Sequence, residues 1–233
     1  MVELKEKTNK CKGIQSDECK KARKDAKSKT AKFVDGSIEH IFRMLERAKN
    51  AAEKASVSDE ERTELLDSID AKLAEISALR QKIGQVQAQN TAEEIRNAAK
   101  SVREFWNSAK ETVEVDNLKI KSSKLGGIIQ KTEQLESKLA DKLSAFKNEG
   151  KDTADLESKM SAFSEKLASA KSLNDELQSL LGNFASAEDK SAVMKEATEK
   201  MQQAHSELKE AHATLNAIRS TIRAQESLSA GVQ

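Results

Sequence analysis

Apolar residues return along this chain at every third or fourth position, and that spacing predicts α-helix. The first run is Phe33/Val34, Ile38, Ile41/Phe42, Leu45, Ala48 and Ala52. Ahead of it, Ser16-Asp17-Glu18 offers a capping hydroxyl followed by two acids suited to the positive end of a helix dipole. A helix over 17–55 is expected, with Gly36 as its weak point. Ser58-Asp59-Glu60-Glu61 forms a capping box and opens a second helix, with stripe Leu66, Ile69, Leu73, Ile76, Leu79, Ile83 and Val86 and an end near Asn90. Thr91-Ala92-Glu93-Glu94 is another box, followed by Ile95, Ala98, Val102, Phe105/Trp106, Ala109 and Val113. The pattern blurs over 115–121, and Gly126-Gly127 can fray or bend a helix. Ile128, Thr132, Leu135, Leu139, Leu143 and Phe146 then carry it to Gly150, a residue suited to closing a helix. One helix over 92–148 is expected, bent if anywhere within 115–127, and roughly 80 Å long at 1.5 Å per residue.

Thr153 starts a fourth helix, with stripe Leu156, Met160, Phe163, Leu167, Ala170, Leu173, Leu177 and Leu181, and Gly182-Asn183 stops it. Ser186 is the expected cap of the last helix. Its seam, Met194, Ala197, Met201, Ala204, Leu208, Ala211, Leu215, Ile218 and Ile222, alternates steps of three and four without a fault. A sustained heptad argues for left-handed coiled-coil packing, and alanine on alternate seam positions implies close helix approach. A disordered tail is expected over 227–233.

Short links make neighbouring helices antiparallel. The expected fold is therefore all-α, an elongated antiparallel helical bundle or coiled coil, in which two three-helix bundles share a long central helix. A polar leader with a cysteine staple covers 1–16, the first bundle 17–115 and the second 116–226, with the helix over 92–148 common to both. The plan is similar to spectrin repeats in architecture alone; the sequence has no spectrin pattern and its halves are not alike.

Composition shows how such a chain can do with little aromatic area. Its 233 residues include no proline, no tyrosine, one tryptophan and six phenylalanines, and 34% are charged. Mean hydropathy is −0.69. This is the composition of long helices, not of a loop-rich globule. Forty basic and thirty-nine acidic residues give a net charge of +1, so no overall field favours sequence-specific nucleic-acid binding. No apolar run approaches the roughly 18 residues of a transmembrane segment. The opening MVELKEKTNK lacks a signal-peptide core, which leaves export open.

Candidate chemistry is sparse. The seven residues between Cys11 and Cys19, which include Gly13, Ser16 and Asp17, permit a disulfide that would staple the leader to the first helical turn and point to an oxidising compartment. Two reduced, unrelated thiols are the other reading. His40, His205 and His212 form no ligand set: the last two lie about 10.5 Å apart along one helix and read as rim residues. Motifs for nucleotides, metals or nucleophilic catalysis are not found, and neither cofactor nor enzymatic activity is expected. Residues 1–32 carry eleven Lys/Arg against five Asp/Glu. Lys20, Lys21, Arg23, Lys24 and Lys27 make a candidate face for a polyanion or anionic surface, or else a solvated helix face. The adjacent Phe105 and Trp106 read as core and core edge, with a partner anchor as the sharper alternative.

Two stretches carry a resemblance. One is CKGIQSDECKKARKDAKSK, a cysteine pair opening a basic helix. The other runs from TAEEIRNAAKSVREFWNSAK through GGIIQKTEQLESKLADKLSAF to KNEGKDTADLESKM. Together they resemble uncharacterised exported helical-bundle proteins of small-genome archaea, in which a signal peptide typically precedes the cysteine pair. The resemblance implies an extracellular or cell-surface location, with no established activity and no functional residues to transfer; a cytoplasmic location stays open. The expected role is a non-enzymatic structural or interaction protein, a spacer, adhesin-like module or self-assembling subunit with a protein partner or copies of itself. The alternative is an amphipathic protein that binds lipid or membrane surfaces.

Overall fold

The computed structural model describes Cys11, Ile14 and residues 16–86 and 91–230. Among the described residues it holds five α-helices and no strand: α1 (Asp17–Glu53), α2 (Asp59–Val86), α3 (Ala92–Asn148), α4 (Ala154–Gly182) and α5 (Lys190–Ala230), with a 3₁₀ turn at Phe184–Ser186. The fold is an all-α bundle. The leader before Cys11, the expected end of α2 at Asn90 and the last three residues of the tail lie outside the described residues.

Local chemistry sets most boundaries. Ser16 Oγ accepts from the Cys19 amide at 3.3 Å. Ser58 and Glu61 close a reciprocal capping box, with the Ser58 amide donating to Glu61 Oε2 at 3.0 Å and the Glu61 amide to Ser58 Oγ at 3.2 Å. Thr91 and Glu94 repeat it at 2.6 and 3.3 Å. Such caps satisfy amides that the first helical turn leaves unpaired. At the end of α3, Gly150 has a φ of 71°, a left-handed conformation that glycine adopts without a Cβ clash. It lets the Gly150 amide reach the Lys147 carbonyl and the Lys151 amide reach the Phe146 carbonyl, both at 3.0 Å, which closes the helix end.

The chain divides into two units, Met1–Glu114 and Val115–Gln233, and the boundary falls inside α3. In the first unit α1 and α2 run antiparallel, since Lys49 pairs with Asp70 at 2.6 Å and Arg80 with Glu39 at 4.0 Å. Val34, Ile38, Ile41, Leu45 and Ala52 of α1 pack inward, with Leu65, Ile69, Ile76 and Ile83 of α2 and Val102 and Ala109 of α3. The Arg62 guanidinium donates to the carbonyls of Ala55 and Val57 at 3.1 and 3.3 Å and to Asp59 at 2.6 Å, tying down the α1–α2 link.

In the second unit the core runs through Leu125, Ile129 and Phe146 of α3, Leu156, Met160, Phe163, Leu167 and Ala170 of α4, and Ala204, Leu208, Ala211, Leu215 and Ile218 of α5. A smaller cluster gathers Val115 and Leu118 with Leu177, Leu181, Phe184 and Ala197. Ion pairs stitch each pair of helices: Lys171 to Glu133 at 2.6 Å, Lys142 to Glu226 at 2.5 Å, and Lys166 to Glu207 and Glu210 at 3.1 and 2.9 Å.

Several sequence expectations need correction. α2 buries Leu65, with Leu66 half-buried, because Leu65 is the one that steps by four to Ile69. The single helix expected over 92–148 is found, continuous through 115–121 and Gly126-Gly127, but its inward line differs from the expected stripe. Along this stretch the inward line steps Leu118, Ser122, Leu125, Ile129, while Ile128 and Leu135 stay 51% and 44% exposed. Hydropathy alone passes over the serine and picks the flanking Ile128. Ser186 does not cap α5: its hydroxyl donates to the Asn183 carbonyl at 3.0 Å, and Asp189 caps, Oδ1 accepting from the Ala192 amide at 2.9 Å. The tail expected from 227 is helical as far as Ala230.

Candidate interaction groove in the first unit

On α1, Val34 and Ile41 turn into the core, so Phe33 and His40, one residue earlier, fall on the flank facing α3. Gly36 lies between them on the same flank, and Ala99, Val102, Arg103 and Trp106 supply the other wall. Small residues at 36 and 99 leave a cleft of about 510 Å³. A methyl group built on Gly36 would meet nothing within 4 Å. Phe33 is 54% exposed at the cleft. The His40 and Trp106 rings lie 5.5 Å apart with their planes tilted by 41°, within the range of favourable aromatic contact. The walls are mostly apolar, with Ser37, His40 and Arg103 as polar elements. The arrangement suits the side-chain ridge of another helix, and it brings together no nucleophile and base.

A shallower cleft of about 420 Å³ lies between α3 and α5 in the second unit, where Leu135, Leu139 and Ile222 alternate with Lys138, Lys142, Arg219 and Glu226. Lysine and arginine stems cover much of its apolar surface.

Cys11 and Cys19 are joined in a disulfide, with their Cα atoms 5.3 Å apart. The bond holds Ile14 near α1, where its carbonyl accepts from Arg23 at 2.8 Å. Of the basic residues, Lys20, Lys21 and Lys24 are exposed, while Arg23 and Lys27 are half-buried. Arg23 is thus turned to the leader, and the five do not share one face. The α5 seam faces inward: Ala197, Ala204, Leu208, Ala211, Leu215 and Ile218 are buried, and Met194, Met201 and Ile222 are half-buried. His205 and His212 point outward. Phe105 and Trp106 are both half-buried, Phe105 under the Lys72 ammonium at 5.9 Å.

The cleft was not among the sequence candidates. Its signal is the Phe33-Val34 doublet, where two large apolar residues 100° apart cannot both enter one core, followed by a mid-helix glycine. No family model, curated protein or solved structure matches this chain. Among the described residues, no helix is long and apolar enough to cross a membrane.

Proposed function

We propose that this chain is a non-enzymatic structural or interaction protein, acting at a cell surface or outside the cell, which presents helix faces to a protein partner or to copies of itself. The observation that carries the reading is the open apolar cleft between α1 and α3, with Phe33 largely in solvent and Gly36 leaving its floor empty. A large exposed ring beside a vacant apolar cleft costs solubility and is kept where something docks. The Cys11–Cys19 disulfide supports an oxidising setting. A lipid-surface role draws less support, because the apolar seam of α5 is closed against its own unit.

The test is photo-cross-linking from a reactive side chain placed at position 33, in cell-surface material, with Gly36→Leu as control. A discrete protein adduct that disappears when the leucine fills the cleft supports the reading. Adducts to lipid alone, or adducts indifferent to Gly36→Leu, overturn it.

A further inference from the structure

The inward stripe of α1 does not end at Val34. Stepping back in the same alternation of three and four gives Ala31, Lys27, Lys24 and Lys20. Lys20 and Lys24 are exposed and Lys27 and Ala31 half-buried, so this line runs along the border of the inward stripe and toward the helix start becomes a basic face open to solvent. No residue between Cys19 and Val34 is buried. From 20 to 32 there are seven lysines and arginines against one aspartate. Lys24 forms no ion pair among the described residues, and Lys20 makes a single exposed one to Asp17 at 3.3 Å.

The outward face of α2 has the complementary layout. Glu60, Glu64 and Asp67 step by four and three, and the line continues as Ala71, Ala74 and Ala78, all exposed. None of the three acids forms an ion pair among the described residues. Two helices laid side by side in parallel would match Lys20, Lys24 and Lys27 against Glu60, Glu64 and Asp67, and the next step, Ala31 against Ala71, would allow close approach. An antiparallel arrangement reverses the order of the steps and misaligns the middle pair.

We propose that the basic face of α1 docks on the acidic face of α2 in a second copy of this chain. The reading rests on the proposed interaction role only in taking helix faces as the binding surfaces; the Phe33 cleft has no part in it. The two faces differ, so α1 of one copy meets α2 of another, either reciprocally in a closed dimer or head to tail in a ring or chain of copies. Exposed pairs of this kind are individually weak and are screened by salt.

Sedimentation velocity on the full chain tests it. At about 0.01 M ionic strength, where charges act over about 30 Å, the weight-average mass should rise at least about twofold with concentration. At about 1 M, where the screening length is about 3 Å, it should return to the monomer. Lys20→Glu/Lys24→Glu and Glu60→Lys/Glu64→Lys should each abolish association, and their equimolar mixture or the combined variant should recover it. Gly36→Leu should leave it unchanged, so loss of the cleft reading and loss of this one are separable. A monomer at both salts, association indifferent to charge reversal, or a monomer that instead floats with anionic vesicles overturns the proposal.

Discussion

The Ser122 hydroxyl donates to Asn174 Oδ1 at 2.9 Å, and the pair sets a polar level between the two apolar clusters of the second unit. Both side chains are buried, at 1% and 3% exposure. Above and below stand the two apolar clusters, linked through Met201. Each residue holds a seam position, so the hydrogen bond is made only when α3 and α4 are in one axial register. Asn174→Ala leaves the Ser122 hydroxyl buried without its acceptor, and unfolding of the second unit in urea should lose about 1–3 kcal/mol. Ser122→Ala combined with Asn174→Leu should recover the midpoint or exceed it. A double variant as unstable as Asn174→Ala would show that the pair contributes packing and not polarity.

Gly36 lies in the middle of α1, where glycine costs about 1 kcal/mol relative to alanine. A methyl group has open space there. Gly36→Ala should therefore raise the stability of the first unit by about 0.4–1 kcal/mol, read as a higher urea midpoint. A fall in the midpoint would contradict the open floor of the cleft.

Ser58→Ala removes a hydroxyl that takes part in both directions of the α2 capping box. The expected loss is about 1 kcal/mol, and it should appear in the first unit's transition with the second unit's unchanged. A shift in both transitions would mean that the units do not unfold separately.

Three glutamates in the second unit have their carboxyls held below the usual value. Glu157 is lowered first by the Thr153 hydroxyl and then by Lys147, Glu176 by Lys200 and Glu226 by Lys142. Between them the lysine pairs join α4 to α3, α4 to α5, and α5 to α3. A carboxylate lowered in the folded state adds stability that is complete above its unfolded value, 4.5 here, and is lost as pH falls through the folded one. The melting temperature of the second unit should hold from neutral pH to about 4.5 and then drop. Glu176→Gln should flatten that drop, and an equally steep profile in the variant would remove Glu176 from the account.

Reduction of Cys11–Cys19 should free the leader and loosen the start of α1. Hydrogen exchange should quicken at 17–27 under reductant and stay unchanged in α4 and α5. Slow exchange at 17–27 after reduction would mean that the Ser16 cap and the Arg23–Ile14 contact suffice without the bond.

Helix starts could be read from the sequence wherever the capping residues lie next to the segment they cap. Ser58–Glu61 and Thr91–Glu94 are local pairs, and both formed. The α5 seam was readable because every position on it is apolar. Reading failed where a seam position is polar. Ser122 and Asn174 belong to the inward lines of α3 and α4, and their burial depends on each other, 52 residues apart. Glu136, which accepts from Ser164 of α4, continues the α3 line in the same way. The missed cap at Asp189 has another cause: a 3₁₀ turn intervenes, and its length is not encoded in a cap motif. The cleft went unseen because it arises from what Gly36 and Ala99 lack.

Ala197, Ala204 and Ala211 sit at 0% exposure, one heptad apart, along the inner edge of α5. A longer side chain at any of them would push the helices apart, and a shorter or polar one would leave a gap or an unmet hydrogen bond. Most positions around them on the outer faces are exposed. Under drift, this chain can therefore exchange much of its visible surface while a thin ladder of its smallest side chains stays fixed. Descent in such a molecule would be recorded in spacing more than in identity.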